Sequence, residues 1–537
     1  MLPLPPVPVP DAAARRLSHV LDEAGYTALR VRAHLGLGSL FDLGRGGGPD
    51  GAEPDSAVAV LVTLLLRGRP VARLRAEAGL GTEAVGLLEE AGLIRSSSGH
   101  LRATVLLYPV GPIRVASDLT PQAPGVLAGE GDGGTFELPA DAVYPALAAP
   151  NRSFLADLPT GRRDGASSGA LLDLCGGTGV GALLGLESGL TRAAVTADSE
   201  PRATAFARFN AVLNGWDVAS GEGGPGGLRA VTGDLWDPVA GHTFQWVLAH
   251  PPYLPSVAGD HAFRDGGPDG ERLFRRILAG LPDHLDVGGL FYGHGLVADR
   301  RGAPAETRVR ALLGTAADAF DLWLLEHEVL PPETFVVRQL RARRIAPELA
   351  DRHLEALEEL KVDRFVRGSV FLHRRAPDEV AAPLTVRRPR AGLPDQGELD
   401  PEGSRTLARF RDRHRHLARA VADGRVGRLR PRPAPGARIV VTHEFSPDTP
   451  SSARVEVGGV LPASVGIPPA ALPLLQYLDG VRTARELRDA ARADGAIPEG
   501  VSVADIRTLI LGLLDAGVLD AFPEGVDSGD GATAVSP

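Results

Sequence analysis

The period of the hydrophobic positions changes several times along this chain. From Asp11 to Ala24 and from Ser56 to Arg67, apolar residues recur every three or four positions, the spacing of one helix face. Two shorter stretches of the same kind follow, Val71 to Ala78 and Thr82 to Ala91, with Gly79 and Gly92 at their ends. Leu93 to Arg95 and His100 to Leu107, on either side of a Ser-Ser-Ser-Gly turn, read as a hairpin. Helices closed by a hairpin predict a winged-helix-like α+β domain over residues 1–118.

From 119 to 376 short apolar runs alternate with helical patterns. Leu171 to Leu174, Ala193 to Ala197, Leu228 to Val231, Phe244 to Ala249, Gly289 to Gly293, Asp321 to Glu326 and Ser369 to His373 are the strand candidates. Strands separated by helices predict a doubly wound α/β sheet of seven strands, Rossmann-like in plan. Residues 377–437 are rich in Pro and Arg and predict a linker around one helix, Ser404 to Ala422. Its apolar stripe is Leu407, Phe410, His414, Leu417 and Val421.

Residues 438–523 predict a second small winged-helix-like domain. It has strand candidates Ile439 to Thr442 and Arg454 to Val457, and helices Pro469 to Leu478, Thr483 to Ala493 and Val503 to Ala516. Thr483 and Glu486 have the spacing of a capping box. The tail 524–537 is acidic, Gly-rich and expected to be disordered.

At 537 residues the chain is too long for a single core. Its longest apolar run, Ala57 to Leu66, is half the roughly 20 residues of a membrane span. The Pro-rich start lacks the pattern of a signal peptide, so a cytoplasmic protein with no membrane partner is expected. Cys175 is the only cysteine, which excludes intrachain disulfides and cysteine-cluster zinc sites. A formal charge of −10 argues against polyanion binding by bulk electrostatics. Residues 405–438 are an exception, with eleven arginines against Asp412 and Asp423. That strip reads as a solvated amphipathic helix or as a surface for RNA.

Two motifs carry the chemistry. Asp173–Gly179 (Asp-Leu-Cys-Gly-Gly-Thr-Gly) is a glycine-rich turn from the first strand of the sheet into a helix, where bare backbone lets a bulky cofactor approach. His250–Tyr253 (His-Pro-Pro-Tyr) closes the fourth strand, where Tyr253 can stack on a flat acceptor and carbonyls can take its N–H bonds. Gly177 to Ala182 also satisfies the loose dinucleotide pattern with Asp198 about 20 residues on, so NAD stays an alternative. Three features favour S-adenosylmethionine. Asp198 can accept the ribose hydroxyls, Asp234 can accept the adenine amine, and His-Pro-Pro-Tyr has no purpose in a nicotinamide enzyme.

With these residues in place, the chain resembles the class I methyltransferases of the small-domain type, which include the release-factor glutamine methyltransferases and the RNA amino-methyltransferases. The resemblance covers about residues 165 to 300. Asp173 to Gly179 is similar to the family's acidic glycine-rich loop, with Cys175 at its first glycine. Asp198 and Asp234 match the ribose-side and adenine-side acids. Asn210 to Gly215 matches the Asn-rich helix end, and Arg264 to Gly270 (Arg-Asp-Gly-Gly-Pro-Asp-Gly) resembles the loop of the glutamine-modifying branch. His250 stands where the family has Asn or Asp.

The resemblance implies cofactor contacts from Asp173, Cys175, Gly177, Gly179, Asp198, Asp234 and His250, and catalytic roles for His250, Pro251 and Tyr253. It implies no metal. The expected reaction is methyl transfer to a planar amide or amino nitrogen of a protein or nucleic acid. Two alternatives stay open: a small-molecule N- or O-methyltransferase, and a winged-helix regulator whose domain only senses S-adenosylmethionine. Asp265, Asp269 and His294 lie near the motifs and read as loop or core residues.

Overall fold

The structure, a computed structural model, describes residues 5–9, 12–45, 55–119, 141–147, 151–160, 169–218, 226–256, 265–342, 345–391, 399–443 and 450–522. Arg264 and the tail from Glu524 lie outside these residues. The chain divides into two compact units. The first comprises Met1–Ala376, Thr385–Arg388 and Gly392–Arg405, and the second Pro377–Leu384, Pro389–Ala391 and Thr406–Pro537.

In the first unit, helices Ala12–Glu23, Ala28–Leu35 and Ala57–Leu61 precede β1 (Val71–Ala72), helices Arg73–Leu80 and Thr82–Glu90, β2 (Ile94–Ser97) and β3 (His100–Ala103). These strands pair in the order β1-β3-β2. The expected helix from Val71 begins two residues later, because Val71 and Ala72 pair with Leu101 and His100. The expected strand His100 to Leu107 is broken at Thr104. Its second half belongs to β4 (Val105–Val110), which pairs with β5 (Ile113–Asp118).

The main sheet contains β6 (Leu171–Leu174), β7 (Ala193–Asp198), β8 (Gly227–Thr232), β9 (Phe244–Ala249), β10 (Leu285–Arg300), β11 (Phe320–Leu330), β12 (Val362–Arg374) and β13 (Thr385–Pro389). Their order is β13-β11-β12-β10-β9-β6-β7-β8. All seven expected strands are present. β13 is an eighth, from a segment expected to be linker. β6 is buried along its whole length, as a central strand covered on both faces must be. β12 runs antiparallel to both β10 and β11.

The strand order turns back between β6 and β9, which pair in parallel with Leu174 opposite Ala249. Cys175 and His250, the next residues, therefore emerge side by side at the carboxyl edge, where open α/β sheets hold their ligands.

Helix Pro201–Leu213 fastens β5 to this sheet. The Asn210 side chain takes the Ala116 N–H at 2.7 Å and donates to the Ala116 carbonyl at 3.0 Å. Asn214, next to the helix end, does the same with Arg114, at 2.8 Å and 2.7 Å. The match is geometric: four helical residues rise about 6 Å and two strand residues about 6.7 Å, so the two amides act as a second strand toward β5.

The second unit holds β14 (Arg430–Pro433) paired with β18 (Leu519–Phe522), and β15 (Arg438–His443), β16 (Pro450–Val457) and β17 (Ala463–Ile467) in a three-stranded sheet. Its core gathers Leu474, Leu487, Ala491, Ile506, Ile510 and Leu513. Helices Ala484–Ala493 and Val503–Ala516 each begin with a capping box, Thr483 with Glu486 and Ser502 with Asp505. Arginines of the basic strip pair inside this unit: Arg413 with Asp520, Arg415 and Arg419 with Glu379, Arg438 with Glu456. No described helix is long and apolar enough to cross a membrane.

Candidate cofactor and acceptor site

The glycine-rich turn needs left-handed backbone at three of its residues. Gly177 and Gly179 have φ of 52° and 77°, and Cys175 has φ of 55°. The first two are glycines. Cys175 takes the same conformation against the steric penalty that a side chain carries there, roughly 1–2 kcal/mol. Glycine is needed for space as well, since a Cβ on Gly176 would lie 2.0 Å from Thr196 Oγ1 and one on Gly179 3.0 Å from the Ala207 Cβ. A Cβ on Gly177 would meet nothing within 4 Å, so the turn is open on that side.

Asp173 is buried, and its Oδ2 accepts from the Ala182 N–H at 3.0 Å. It thereby holds the first turn of helix Val180–Glu187, where orphan N–H groups favour a carboxylate. Burial pushes its pKa up to about 7, with the neighbouring Asp198 adding to the rise. Asp198 ends β7 and accepts from Gly177 N–H at 2.9 Å and Glu200 N–H at 3.0 Å. Burial raises its pKa too, against the pull of those N–H groups. A carboxylate has about four lone-pair sites, so these bonds leave acceptor capacity for a diol.

Asp234 follows β8 and is half-exposed. Arg276 grips it with two bonds, at 3.2 Å and 2.8 Å. Cys175 is partly buried, and burial, Asp198, Asp173 and Asp234 all push its thiol upward, which favours the protonated form. The turn thus brings Asp173, Cys175, Asp198 and Asp234 into one neighbourhood. Gly177 and Asp198 offer the open cradle and acid that a nucleoside cofactor requires.

The acceptor end is built around His250. Its ring stacks on Phe154 at 4.9 Å with 8° between planes, lies 5.6 Å from Tyr253, and meets the edge of His294 at 5.5 Å. Its Nε2 is buried with no hydrogen-bond partner among the described residues. Burial pushes the imidazole down to about 4, so it is neutral at ordinary pH. A small pocket beside it is lined by Pro251, Tyr253, Phe274, Gly295 and Leu296, among others.

The loop after His-Pro-Pro-Tyr folds back on it, with Gly266 N–H to Leu254 O at 2.8 Å and Ser256 N–H to Gly267 O at 2.9 Å. Gly270 is obligatory, because a Cβ would fall 2.2 Å from the Tyr253 carbonyl oxygen. Asp269 and Glu271 are buried in a cluster with Arg275, Arg300 and Arg308. Burial alone would raise the Asp269 carboxyl, but the Arg275 hydrogen bonds hold it below its usual range. These acids anchor the loop.

Beyond the motif stands a group that the sequence pattern did not single out. Asp157 Oδ2 accepts from Ser369 Oγ at 2.8 Å and lies 2.7 Å from His327 Nε2. Ser369 Oγ is also 3.2 Å from His294 Nδ1. These residues come from helix Asn151–Asp157, β10, β11 and β12, more than 200 positions apart at the extremes. His294 had been read as a core or loop residue. It is buried, and it belongs to this network.

No protein-family model matches the chain. Among curated proteins, it is 35% identical over 182 residues to the release factor glutamine methyltransferase of Deinococcus radiodurans, a match covering 31% of this chain and 56% of that protein. The chain thus spans little more than half the length of the curated relative it matches. Among solved structures it is similar to a methyltransferase from Pyrococcus furiosus (14% identical, 41% of this chain and 78% of that one, TM-score 0.24). It is also similar to a ribosomal protein L11 methylase from Lactobacillus delbrueckii (12% identical, 40% and 72%, TM-score 0.20). The curated match makes the chain similar to a class I methyltransferase, a family whose methyl donor is S-adenosylmethionine.

Proposed function

We propose that the protein transfers a methyl group from S-adenosylmethionine to a planar amide or amino nitrogen of a macromolecular acceptor. The observation that carries this reading is the register of β6 against β9, with Gly177 and Asp198 on one side of the switch and His250 and Tyr253 on the other. Bound at the turn, S-adenosylmethionine supplies an activated methyl group on a good leaving group. The chain then has mainly to align and desolvate. Asp198 and Asp234 hold the nucleoside, Tyr253 stacks on the plane of the acceptor, and the Pro251 carbonyl takes its N–H.

The N-terminal helices and hairpin are read as a winged-helix-like module that presents the acceptor. Its second paired helix, Thr82–Glu90, carries Glu83, Glu89 and Glu90 and no basic residue. Arg73 of the preceding helix is held by Glu77 and Glu89. Such a face suits a protein better than a nucleic acid, and a protein amide is the favoured acceptor. The internal ion pairs of the 405–438 strip lower the charge it can offer RNA. A cytoplasmic location agrees with this reading.

Calorimetric titration with S-adenosylmethionine and with NAD tests the cofactor. Micromolar binding of the first alone is expected, and binding of NAD alone would overturn the reading. Labelled methyl transfer into cell protein, RNA and small-molecule fractions then tests the acceptor, with incorporation into protein expected. Tyr253→Ala is expected to spare cofactor binding and lower that incorporation about tenfold or more.

A further inference from the structure

Burying a polar ring atom without a partner costs about 1–3 kcal/mol, so one beside a candidate site calls for an explanation. His250 Nε2 is such an atom. Its ring stacks on Phe154, and Nε2 is left without a hydrogen-bond partner among the described residues.

Behind it, an ionised Asp157 would order the protons of a buried network, in which His327 Nε2 also lies 3.1 Å from Ser369 Oγ. An ionised Asp157 has only acceptor sites, so Ser369 donates its single hydrogen to it at 2.8 Å. The Ser369 oxygen is then an acceptor, and His294 Nδ1 at 3.2 Å must carry the proton between them. His327 Nε2, 2.7 Å from Asp157, is a donor as well. The sheet is bent to permit this. His294 and Ser369 are cross-strand partners on β10 and β12, while β11 slips register between Glu326 and Glu328, so that His327 is the extra residue of a β-bulge. Bulges re-aim side chains in this way.

We propose that His250 Nε2 is the proton acceptor for methyl transfer, with Asp157, Ser369, His327 and His294 as positioning residues that hold the cluster in a single protonation pattern. This rests on the methyltransferase reading above. As the nitrogen–methyl bond forms and the sulfur–methyl bond breaks, the positive charge of the sulfonium passes to the acceptor nitrogen. The N–H bond then breaks, its electron pair returns to the nitrogen, and the proton goes to His250 Nε2.

Held near 4, this base cannot take a proton from a methylated alkylammonium of pKa about 10. A conjugated nitrogen, amide or ring amine, that has gained a methyl group is a far stronger acid and gives its proton to even a weak imidazole. The base is therefore matched to a planar nitrogen rather than to an alkylamine.

The test is nitrogen NMR on the full chain labelled at histidine, saturated with S-adenosylhomocysteine, with His250→Asn and His294→Asn used to assign signals. Expected are an Nδ1–H tautomer for His294, a bare Nε2 on His250, and movement of that Nε2 signal on titration with acetamide but not with methylammonium. Loss of the His294 tautomer lock is expected in Ser369→Ala. A protonated His250 Nε2, an Nε2–H His294, or movement with methylammonium alone overturns the proposal. Absence of S-adenosylhomocysteine binding overturns the methyltransferase reading instead. His250→Asn keeps a hydrogen-bond acceptor but not a base. At saturating S-adenosylmethionine, it is expected to lower methyl incorporation into protein at least tenfold, and full incorporation would likewise overturn the role.

Discussion

At the cofactor end of the site, Asp173 and Asp198 are satisfied by backbone a few residues away or just across one strand: Asp173 by Ala182, Asp198 by Gly177 and Glu200. At the acceptor end, side chains from a helix and three strands satisfy one another, and His250 Nε2 has no hydrogen-bond partner among the described residues. The first arrangement is a fixed mould written into one turn. The second is a network whose parts meet only when the whole sheet is assembled, and its leftover group is available to whatever enters. In the proposed reaction cofactor recognition is local and proton handling is distributed, so damage should separate along the same line.

The largest effect expected concerns Asp173. Its folded pKa, about 7, lies above the unfolded value near 4, so the folded state binds more protons in between. Stability is therefore highest below about pH 4 as far as this group is concerned, and falls as pH rises through 7, by at most about 4 kcal/mol. Thermal melts from pH 5 to 8 should show that fall in the native chain and a flatter profile in Asp173→Asn. No difference between the two would mean that the turn is not strained by charge. Next, Asn210→Ala should cost about 3 kcal/mol, because Ala116 and Thr178 lose their buried partners together. Denaturant unfolding would measure it, and a loss under about 1 kcal/mol would argue against the clamp.

Asp198→Ala should weaken S-adenosylmethionine about a hundredfold in calorimetry while leaving the histidine signals of the acceptor end in place. Movement of both ends together would erase the contrast between them. The smallest effect is expected for Cys175→Gly, which relieves the left-handed strain and should stabilise the chain by up to about 1 kcal/mol, less the entropy that glycine adds to the unfolded state.

The same contrast explains what could be read from the sequence. The seven strands and the glycine turn were legible because each lies in one contiguous run whose period or residue types betray it. β13 was not, because Thr385–Pro389 is an edge strand of polar and Pro-Arg composition with no buried alternation. The π turn through Val62–Leu66 and the break at Thr104 likewise leave the periodicity almost unchanged. His250 was visible because it interrupts a known motif. Asp157, His327 and Ser369 were not, since a lone His on a strand or an Asp at a helix end looks the same whether or not it faces a partner. The one available hint was the run Leu325-Glu-His-Glu-Val329, three polar residues inside a strand where alternation would place one at a time.

The two asparagines that clasp β5 also bear on how the molecule comes apart. A clasp of four backbone-directed hydrogen bonds couples β5 of the N-terminal hairpin to the helix on the central sheet, and the two are expected to melt together. The N-terminal region is then not an accessory to be shed. Heating should release it and the cofactor turn in a single transition, and a protease that nicks one should find the other already open.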